Sequence, residues 1–176
     1  MRLRFLRSIV AALTILSIVP SVCSAQEAPV SPEQKVLDQF VGKWDETYEV
    51  AKTDFTPEAR KGTAKVDFRS VLGGKFVQQN AEHSDDASAM LMYTYDEQES
   101  RYRGWWFSSM GLTSEYAGAW DADSKTMTWR TVDESPVAAT ITQKFVDGDN
   151  MEWDVTVKGD GDQVYFSMKG TSVRVK

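Results

Sequence analysis

The sequence predicts an all-β fold: an antiparallel meander of about ten strands, closed as a β-barrel, with one short N-terminal helix. Apolar and polar residues alternate in segment after segment beyond residue 42, which is the period of strands with one buried face. Turn sequences such as LGG, DEQES, DADSK and VDGDN separate these segments. A helical period precedes residue 42. Many short strands joined by tight reverse turns are typical of barrels and sandwiches.

Residues 1–25 have the composition of an export signal. Three arginines precede the apolar stretch IVAALTILSIV, and the small residues CSA follow it, which predicts cleavage after Ala25. The apolar stretch is too short for a comfortable membrane span, so no membrane span is predicted. The residues before Cys23 match a lipobox poorly, which makes lipidation of Cys23 the less favoured alternative. The sequence therefore predicts an exported protein, periplasmic or secreted.

The composition of the remaining chain excludes several classes of binding partner. The signal carries three Arg and no acid, so its removal changes the formal net charge from −6 to −9. This excess of acid argues against binding to nucleic acid and to anionic membrane surfaces. The single Cys leaves with the signal, so neither a disulfide framework nor a Cys-based metal site is expected. We predict a leader and helix start at residues 26–35 and a single β-barrel domain at residues 36–176.

A short helix is predicted directly after the leader. Ser31 is suited to the N-cap position and Pro32 to the first turn. Gln34 is at the position from which a side chain in a capping box accepts a hydrogen bond from the N-cap backbone N–H. Four apolar residues follow on one helical face: Val36, Leu37, Phe40 and Val41. Gly42 ends the run. A single helix with one apolar face is expected to close one end of the strand assembly.

Ten segments after the helix have the period of strands. They are WDETYEV (44–50), TAKVDFRSV (63–71), KFVQQNAEH (75–83), AMLMYTY (89–95), RYRGWWFS (101–108), LTSEYAGAW (112–120), TMTWRTV (126–132), VAATITQKFV (137–146), MEWDVTV (151–157) and QVYFSMKGTSVRV (163–175). Two otherwise apolar faces hold polar side chains: Glu46 with Trp44, Tyr48 and Val50, and Gln78 and Asn80 with Phe76. Buried polar groups of this kind need hydrogen bonds or a wet cavity.

Four segments of the chain resemble a bacterial protein family. They are FVGKW (40–44), LGGKFVQQ (72–79), YTYDEQESRYRGWWFSSMG (93–111) and YAGAWDADSKTMTW (116–129). In this order they resemble domain-of-unknown-function family 1579, and FVGKW also resembles the helix-to-strand opening of lipocalins. The resemblance implies a calycin-like β-barrel around an interior cavity, with the N-terminal helix near one end. It implies no activity, because the family has no established one and a fold does not fix a function.

Sequence patterns for nucleophilic or metal catalysis are absent. The sequence has no G-x-S-x-G elbow, no H-E-x-x-H motif and a single His. His83 is interpreted as a solvent-facing loop residue rather than as a haem ligand or general base. Acidic segments such as DADSK and DGDN are interpreted as hairpin turns, because they lack the full ligand set of a calcium loop. The sequence thus predicts no metal site and no cofactor.

Glu46 is a weak candidate for a catalytic acid or base, because burial in a cavity shifts the pKa of a carboxyl group. The favoured interpretation is structural, a pair with Arg101 or Arg103 across the barrel, since buried acids are usually paired. Glu115 is expected to point outward, because its neighbour Tyr116 is expected to point inward.

Aromatic residues at three consecutive positions, 105–107, cannot share one core, because neighbours in a strand point to opposite faces. We predict that Trp106 faces the interior, while Trp105 and Phe107 face outward, beneath the helix or against a second copy in a homodimer. A barrel of about ten strands is wide enough to hold a ligand. The predicted ligand-binding residues are Trp44, Glu46, Tyr48, Gln78, Asn80, Trp106, Tyr116, Trp129 and Trp153.

Three functions from different classes remain open at this point. The leading hypothesis is an exported β-barrel that binds a small apolar or amphipathic molecule and performs no chemistry. The first alternative is a hydrolase- or isomerase-like enzyme that uses a cavity carboxylate. The second alternative is a non-catalytic interaction module of the cell envelope that uses the outward aromatic residues.

Overall fold

The computed structural model describes residues 31–132 and 136–176, which form one α-helix and ten strands. The helix α1 is Pro32–Leu37. The strands are β1 (Gly42–Val50), β2 (Arg60–Val71), β3 (Phe76–His83), β4 (Ser88–Asp96), β5 (Arg101–Ser108), β6 (Thr113–Asp121), β7 (Thr126–Thr131), β8 (Ala138–Phe145), β9 (Asn150–Lys158) and β10 (Val164–Arg174). The predicted export signal and the leader before Ser31 lie outside the described residues.

The strands close into an antiparallel barrel. Each strand pairs with its neighbours in chain order, and β1 also pairs with β10. The closing register runs without a break from Trp44 opposite Arg174 to Val50 opposite Met168. Closure leaves no strand edge unpaired, which protects a sheet protein from edge-to-edge association. The predicted all-β meander barrel with one short N-terminal helix is therefore confirmed.

Side chains alternate between the barrel interior and solvent along the strands. On β1 the buried residues are Trp44, Glu46, Tyr48 and Val50, and the charged or Thr residues between them are exposed. The pleat of a strand produces this period of two, and burial of the apolar set selects which face turns inward. The acid between two aromatic residues, recognised in the sequence, therefore does point into the barrel.

A packed apolar core fills one end of the barrel, which we call the closed end. Leu37 and Phe40 are buried there, directly before β1. The Phe40 ring lies 5.7 Å from the ring of Phe68 and 4.7 Å from that of Phe145. Met127 and Met151 complete this core and are almost inaccessible to solvent. As predicted, the apolar face of the N-terminal segment closes one end of the strand assembly.

Helix α1 is held by its N-cap and by a buried glutamine. The Ser31 Oγ accepts a hydrogen bond of 3.1 Å from the backbone N–H of Gln34. The Gln34 side chain turns away from Ser31, and its Oε1 accepts a hydrogen bond of 2.8 Å from the backbone N–H of Tyr95 on β4. The predicted capping box is thus only half formed, because Gln34 instead ties the helix to the barrel.

Trp44 joins the N-terminal segment to β1 and β10. Its Nε1 donates a hydrogen bond of 2.8 Å to the Phe40 carbonyl. The Arg174 guanidinium lies 4.1 Å from the Trp44 ring centroid and donates to the carbonyls of Gln39, at 2.8 Å, and Gly148, at 3.0 Å. Arg174 therefore binds carbonyls that the strands leave unpaired while it covers the indole.

Candidate functional site

The half of the barrel opposite the closed end contains a cavity of about 640 Å³. Turn residues such as Asp85, between β3 and β4, and Met110, between β5 and β6, line its mouth. We call this end the open end. The cavity exists because the closed-end core occupies only part of the interior of a wide barrel.

Six strands each place one residue with a polar, phenolic or indole group in the deep part of the cavity. We call these residues the cavity floor: Glu46, Gln79, Tyr93, Tyr116, Gln143 and Trp153. Nearer the mouth the wall is mainly apolar and includes Val50, Ala81, Leu91, Ile141 and Val155. The cavity therefore has a polar floor, an apolar wall and an open mouth.

Glu46 carries the acid of the cavity floor. Its side chain is nearly buried, and its Oε1 accepts a hydrogen bond of 2.8 Å from Ser172 Oγ on the neighbouring strand β10. Burial raises the pKa of Glu46 to about 7, although the Ser172 hydrogen bond lowers it in part. No Lys or Arg among the described residues compensates its charge. Glu46 therefore changes its charge near neutral pH.

Two tyrosines lie beside Glu46 on the floor. Tyr93 Oη donates a hydrogen bond of 2.6 Å to Gln79 Oε1. Burial raises the pKa of Tyr93 well above its ordinary value, and the nearby Tyr116 and Glu46 raise it further. Tyr93 thus stays protonated and points its hydroxyl group along the floor.

Trp129 supports the floor from below. Its ring packs 4.8 Å from that of Tyr93, and its Nε1 donates a hydrogen bond of 3.0 Å to Gln143 Oε1. The indole packs against Gly118, where a Cβ would come within 2.5 Å of the ring. Glycine at position 118 therefore makes room for the large side chain that orients Gln143.

The Trp153 indole N–H is a buried donor without a hydrogen-bond partner among the described residues. The side chain is 9% exposed and lies over Gly170, where a Cβ would come within 2.5 Å of the ring. Burial of an unpaired donor costs about 1–3 kcal/mol. Because Trp153 lines the cavity, an acceptor atom of a bound molecule would satisfy this group.

His83 lies in the cavity wall near the mouth. It is the last residue of β3, half-buried, with its ring 5.5 Å from that of Tyr48. The interpretation as a solvent-facing loop residue is therefore wrong, since pairing with β2 extends β3 to this position. Burial lowers the pKa of His83, and Asp85 partly opposes that shift. Asp85 itself pairs with Arg60 at 3.3 Å at the mouth.

The structure divides the predicted ligand-binding residues into three groups. Those that line the cavity are Glu46, Tyr48, Trp106, Tyr116 and Trp153. Trp44 and Trp129 belong to the packed core below the floor, where both are almost fully buried. Gln78 and Asn80 lie on the outer surface of β3.

The direction of Gln78 and Asn80 corrects the sequence analysis. Gln78 Nε2 donates a hydrogen bond of 3.1 Å to Asn80 Oδ1 outside the barrel. The inward residues of β3 are Val77, Gln79, Ala81 and His83. The pattern predicts Phe76, Gln78 and Asn80 on the inward face, but Val77 and Ala81 on the opposite face are the buried apolar residues of this strand. Gln79 was missed for that reason, although Val77 and Ala81 signal the correct phase.

The proposed ion pair of Glu46 is also corrected. Arg103 lies on the outer face of β5 and pairs with Glu115, at 2.5 Å, and with Asp96, at 3.4 Å. Arg101 pairs with Glu99 in the turn before β5. Both arginines thus form ion pairs with acidic residues outside the barrel and not with Glu46. Glu115 points outward as expected.

The consecutive aromatic residues of β5 separate as strand alternation requires. Trp106 lines the cavity, whereas Trp105 faces outward beneath the Arg103 guanidinium, which lies 5.0 Å from its ring centroid. Phe107 and its cross-strand neighbour Met90 are both partly exposed on the outer face. Helix α1 does not cover them, because it packs against β4 near Tyr95. Contact with a second copy stays a prediction.

Two negative findings apply to residues 31–132 and 136–176. This part of the chain contains no group of three or more His, Cys, Asp or Glu side chains placed to hold a metal ion. It also contains no helix with the length and hydropathy of a membrane span.

Comparison with protein families gives a match to the model of the family described as "Protein of unknown function (DUF1579)" over residues 30–174. The chain belongs to this family. The resemblance of the four sequence segments is thereby confirmed, and the closed ten-stranded antiparallel barrel is the fold of this DUF1579 member. A comparison with curated proteins found no match.

Solved structures of distant sequences share the fold of this DUF1579 protein. Rv2717c from M. tuberculosis is 13% identical, with a TM-score of 0.64 over 84% of this chain and 100% of that chain. The S-type phycobiliprotein lyase CPES from Guillardia theta is 17% identical, with a TM-score of 0.57 over 82% of this chain and 93% of that chain. At these identities the likeness shows the fold alone.

Proposed function

We propose that this DUF1579 protein is exported and binds one small, largely apolar or amphipathic molecule inside its barrel. The observation that carries the proposal is the cavity of about 640 Å³ with its polar floor and apolar wall. Small-molecule sites typically have volumes of about 300–1,000 Å³ and combine an apolar lining with a few convergent polar groups.

The chemistry of the lining supports a molecule with two different ends. The wall residues Leu91, Ile141 and Val155 would cover an apolar body, at a gain of about 25 cal/mol per Å² of apolar surface removed from water. The Trp153 N–H and the Glu46 carboxyl group would bind a polar group that reaches the floor. The phycobiliprotein lyase shares the fold, but the proposal rests on the cavity because that likeness shows no ligand.

Filling the cavity is expected to abolish binding. Ala139 lines the cavity, so Ala139→Phe would place a phenyl ring in the space that a ligand occupies. The neighbouring Ala138 is exposed on the outer face of β8, so Ala138→Phe adds the same ring outside the barrel. Binding of the neutral fluorophore N-phenyl-1-naphthylamine is measured by its emission increase. Ala139→Phe is expected to raise the Kd by about tenfold or more.

The matched variants also define the result that contradicts the proposal. Wild type and Ala138→Phe are expected to bind the fluorophore equally, with one site per chain. If wild type does not bind it, or if both variants weaken binding equally, the cavity is not the binding site. Thermal unfolding of both variants checks that the added ring has left the barrel folded.

A further inference from the structure

We infer that the cavity selects amphiphiles with a cationic ammonium head, which enters first and pairs with Glu46 at the floor. This inference rests on the proposed binding function and names the class of molecule that the site would take. Three features carry it: the polarity gradient along the cavity, the charges on its lining, and the oxygen atoms and aromatic rings around Glu46.

The polarity gradient fixes the orientation of an amphiphile. The polar residues form the deepest layer, and apolar residues such as Val50 and Ala81 lie nearer the mouth. On β1 the distance from Glu46 to Val50 is four residues, a rise of about 13 Å. An extended alkyl chain of medium length matches this rise. A bound amphiphile therefore places its head at the floor and its chain along the wall.

The charges on the lining select the sign of that head. The titratable side chains that line the cavity are Glu46, Tyr48, Arg60, His83, Asp85, Tyr93 and Tyr116. Arg60 is opposite Val50 in the register, whereas Glu46 is opposite Ala64, so Arg60 lies four residues nearer the mouth. It also pairs with Asp85 there. A carboxylate or phosphate head at the floor would meet Glu46 and no cation of the described residues, which is unfavourable in a desolvated site.

The surroundings of Glu46 suit the three N–H donors of an ammonium group. The Glu46 carboxylate is one acceptor, and the hydroxyl oxygen of Tyr93, which donates to Gln79, retains acceptor capacity for a second bond. The rings of Tyr93 and Trp153 line the same floor and attract a cation through their faces. A buried acid whose hydrogen-bond partner among the described residues is Ser172 thus gains a charged one.

The mouth of the barrel has the charge that would attract such a molecule. Exposed acids in the described open-end turns are Asp54, Glu58, Asp85, Asp86 and Asp160, and they outnumber the exposed bases in or directly next to those turns, Lys52, Arg60 and Lys158. An acidic rim raises the local concentration of cations and the rate at which they associate. The floor and the rim therefore favour the same sign of ligand charge.

Isothermal titration calorimetry with three probes of equal chain length tests the inference: decylammonium, decanol and decanoate. Wild type is expected to bind decylammonium about tenfold more tightly than decanol, and decanoate most weakly. Glu46→Gln is expected to remove the preference, so that decylammonium binds this variant no more tightly than decanol does. The control Glu152→Gln removes an exposed acid on the outer face of β9 and is expected to keep the preference.

Proton release gives a second readout, which a merely structural role of Glu46 would not produce. Titrations at about pH 6.5 in two buffers of different ionisation enthalpy measure the protons released on binding. Decylammonium is expected to release protons from Glu46 in wild type but not in Glu46→Gln, because the bound cation stabilises the carboxylate. Decanol, which carries no charge, is expected to release none.

Two failures are distinguishable in this experiment. If decanol binds wild type as tightly as decylammonium, or if decanoate binds most tightly, the cationic class is wrong while the binding function stands. A neutral Glu46 that donates to the decanol oxygen would produce the first of these results. If none of the three probes binds, both the inference and the proposed function are overturned.

Discussion

Replacement of Trp44 by alanine is expected to lower the free energy of unfolding by about 4 kcal/mol. The indole is only 1% exposed, so its removal leaves a cavity in the closed-end core. The change also removes the hydrogen bond to the Phe40 carbonyl and the surface that Arg174 covers. Because these contacts connect the N-terminal segment to both closing strands, the loss should appear in urea unfolding as a lower midpoint.

Trp105→Ala is the matched control for that measurement. Trp105 is also a strand tryptophan, but it faces outward, and the Arg103 guanidinium lies 5.0 Å from its ring centroid. Its removal is expected to lower the free energy of unfolding by about 1 kcal/mol or less. Equal losses in the two variants would contradict the assignment of Trp44 to the structural core and of Trp105 to the surface.

The second large effect is a dependence of stability on pH that arises from Glu46. Burial raises the pKa of Glu46 in the folded protein to about 7, from 4.5 in the unfolded chain. Between these two values the folded protein keeps a proton that the unfolded chain has released, so the stability contributed by Glu46 falls as pH rises. The total loss is about 3 kcal/mol and is complete once pH exceeds the folded pKa.

Glu46→Gln isolates this contribution, because glutamine does not titrate. The free energy of unfolding of wild type minus that of Glu46→Gln is expected to fall by about 3 kcal/mol between about pH 4 and about pH 8. His83, whose lowered pKa has the opposite sign of effect, is present in both proteins and cancels in the difference. A difference that does not change with pH would show that Glu46 is not buried as an acid. Glu152→Gln is expected to show no such trend.

Much of the architecture follows from patterns that the sequence displays directly. Every strand segment identified by its period of two corresponds to a strand of the barrel, and β5 has the predicted bounds. The N-cap Ser31 behaves as predicted, and Leu37 and Phe40 are both buried, although the helix ends at Leu37 and Phe40 follows it in a turn. These features depend on local chemistry and on which face is apolar, so a single chain is enough to predict them.

The floor of the cavity was harder to predict, because it depends on which residues meet across the barrel. On β3 the predicted inward face was the wrong one, so Gln78 and Asn80 were assigned to the interior instead of Gln79. Trp44 and Trp129 are large aromatic residues on inward faces, but depth along the barrel decides whether an inward residue packs in the core or lines the cavity. Likewise, Arg103 lies on the outer face of a strand that does not pair with the strand of Glu46. The spacing of the strands in the sequence does not reveal this separation.

For Glu46, the sequence predicts burial but does not predict the hydrogen-bond partner. Its place between two inward aromatic residues correctly indicated a buried acid. The partner that the structure supplies is Ser172, which lies 126 positions away and is brought opposite Glu46 by the closing pair of strands. Only closure of the barrel creates that neighbour, and with it the uncompensated acid at the floor.

The most direct test of ligand binding is native mass spectrometry of the protein purified from the cells that produce it, followed by denaturation and extraction. We predict a one-to-one complex with a small amphipathic molecule that denaturation releases. Ala139→Phe purified in the same way is expected to lack the bound mass, while Ala138→Phe retains it. Wild type that carries no bound mass, or an Ala139→Phe variant that carries the same mass as wild type, would contradict a ligand in the cavity.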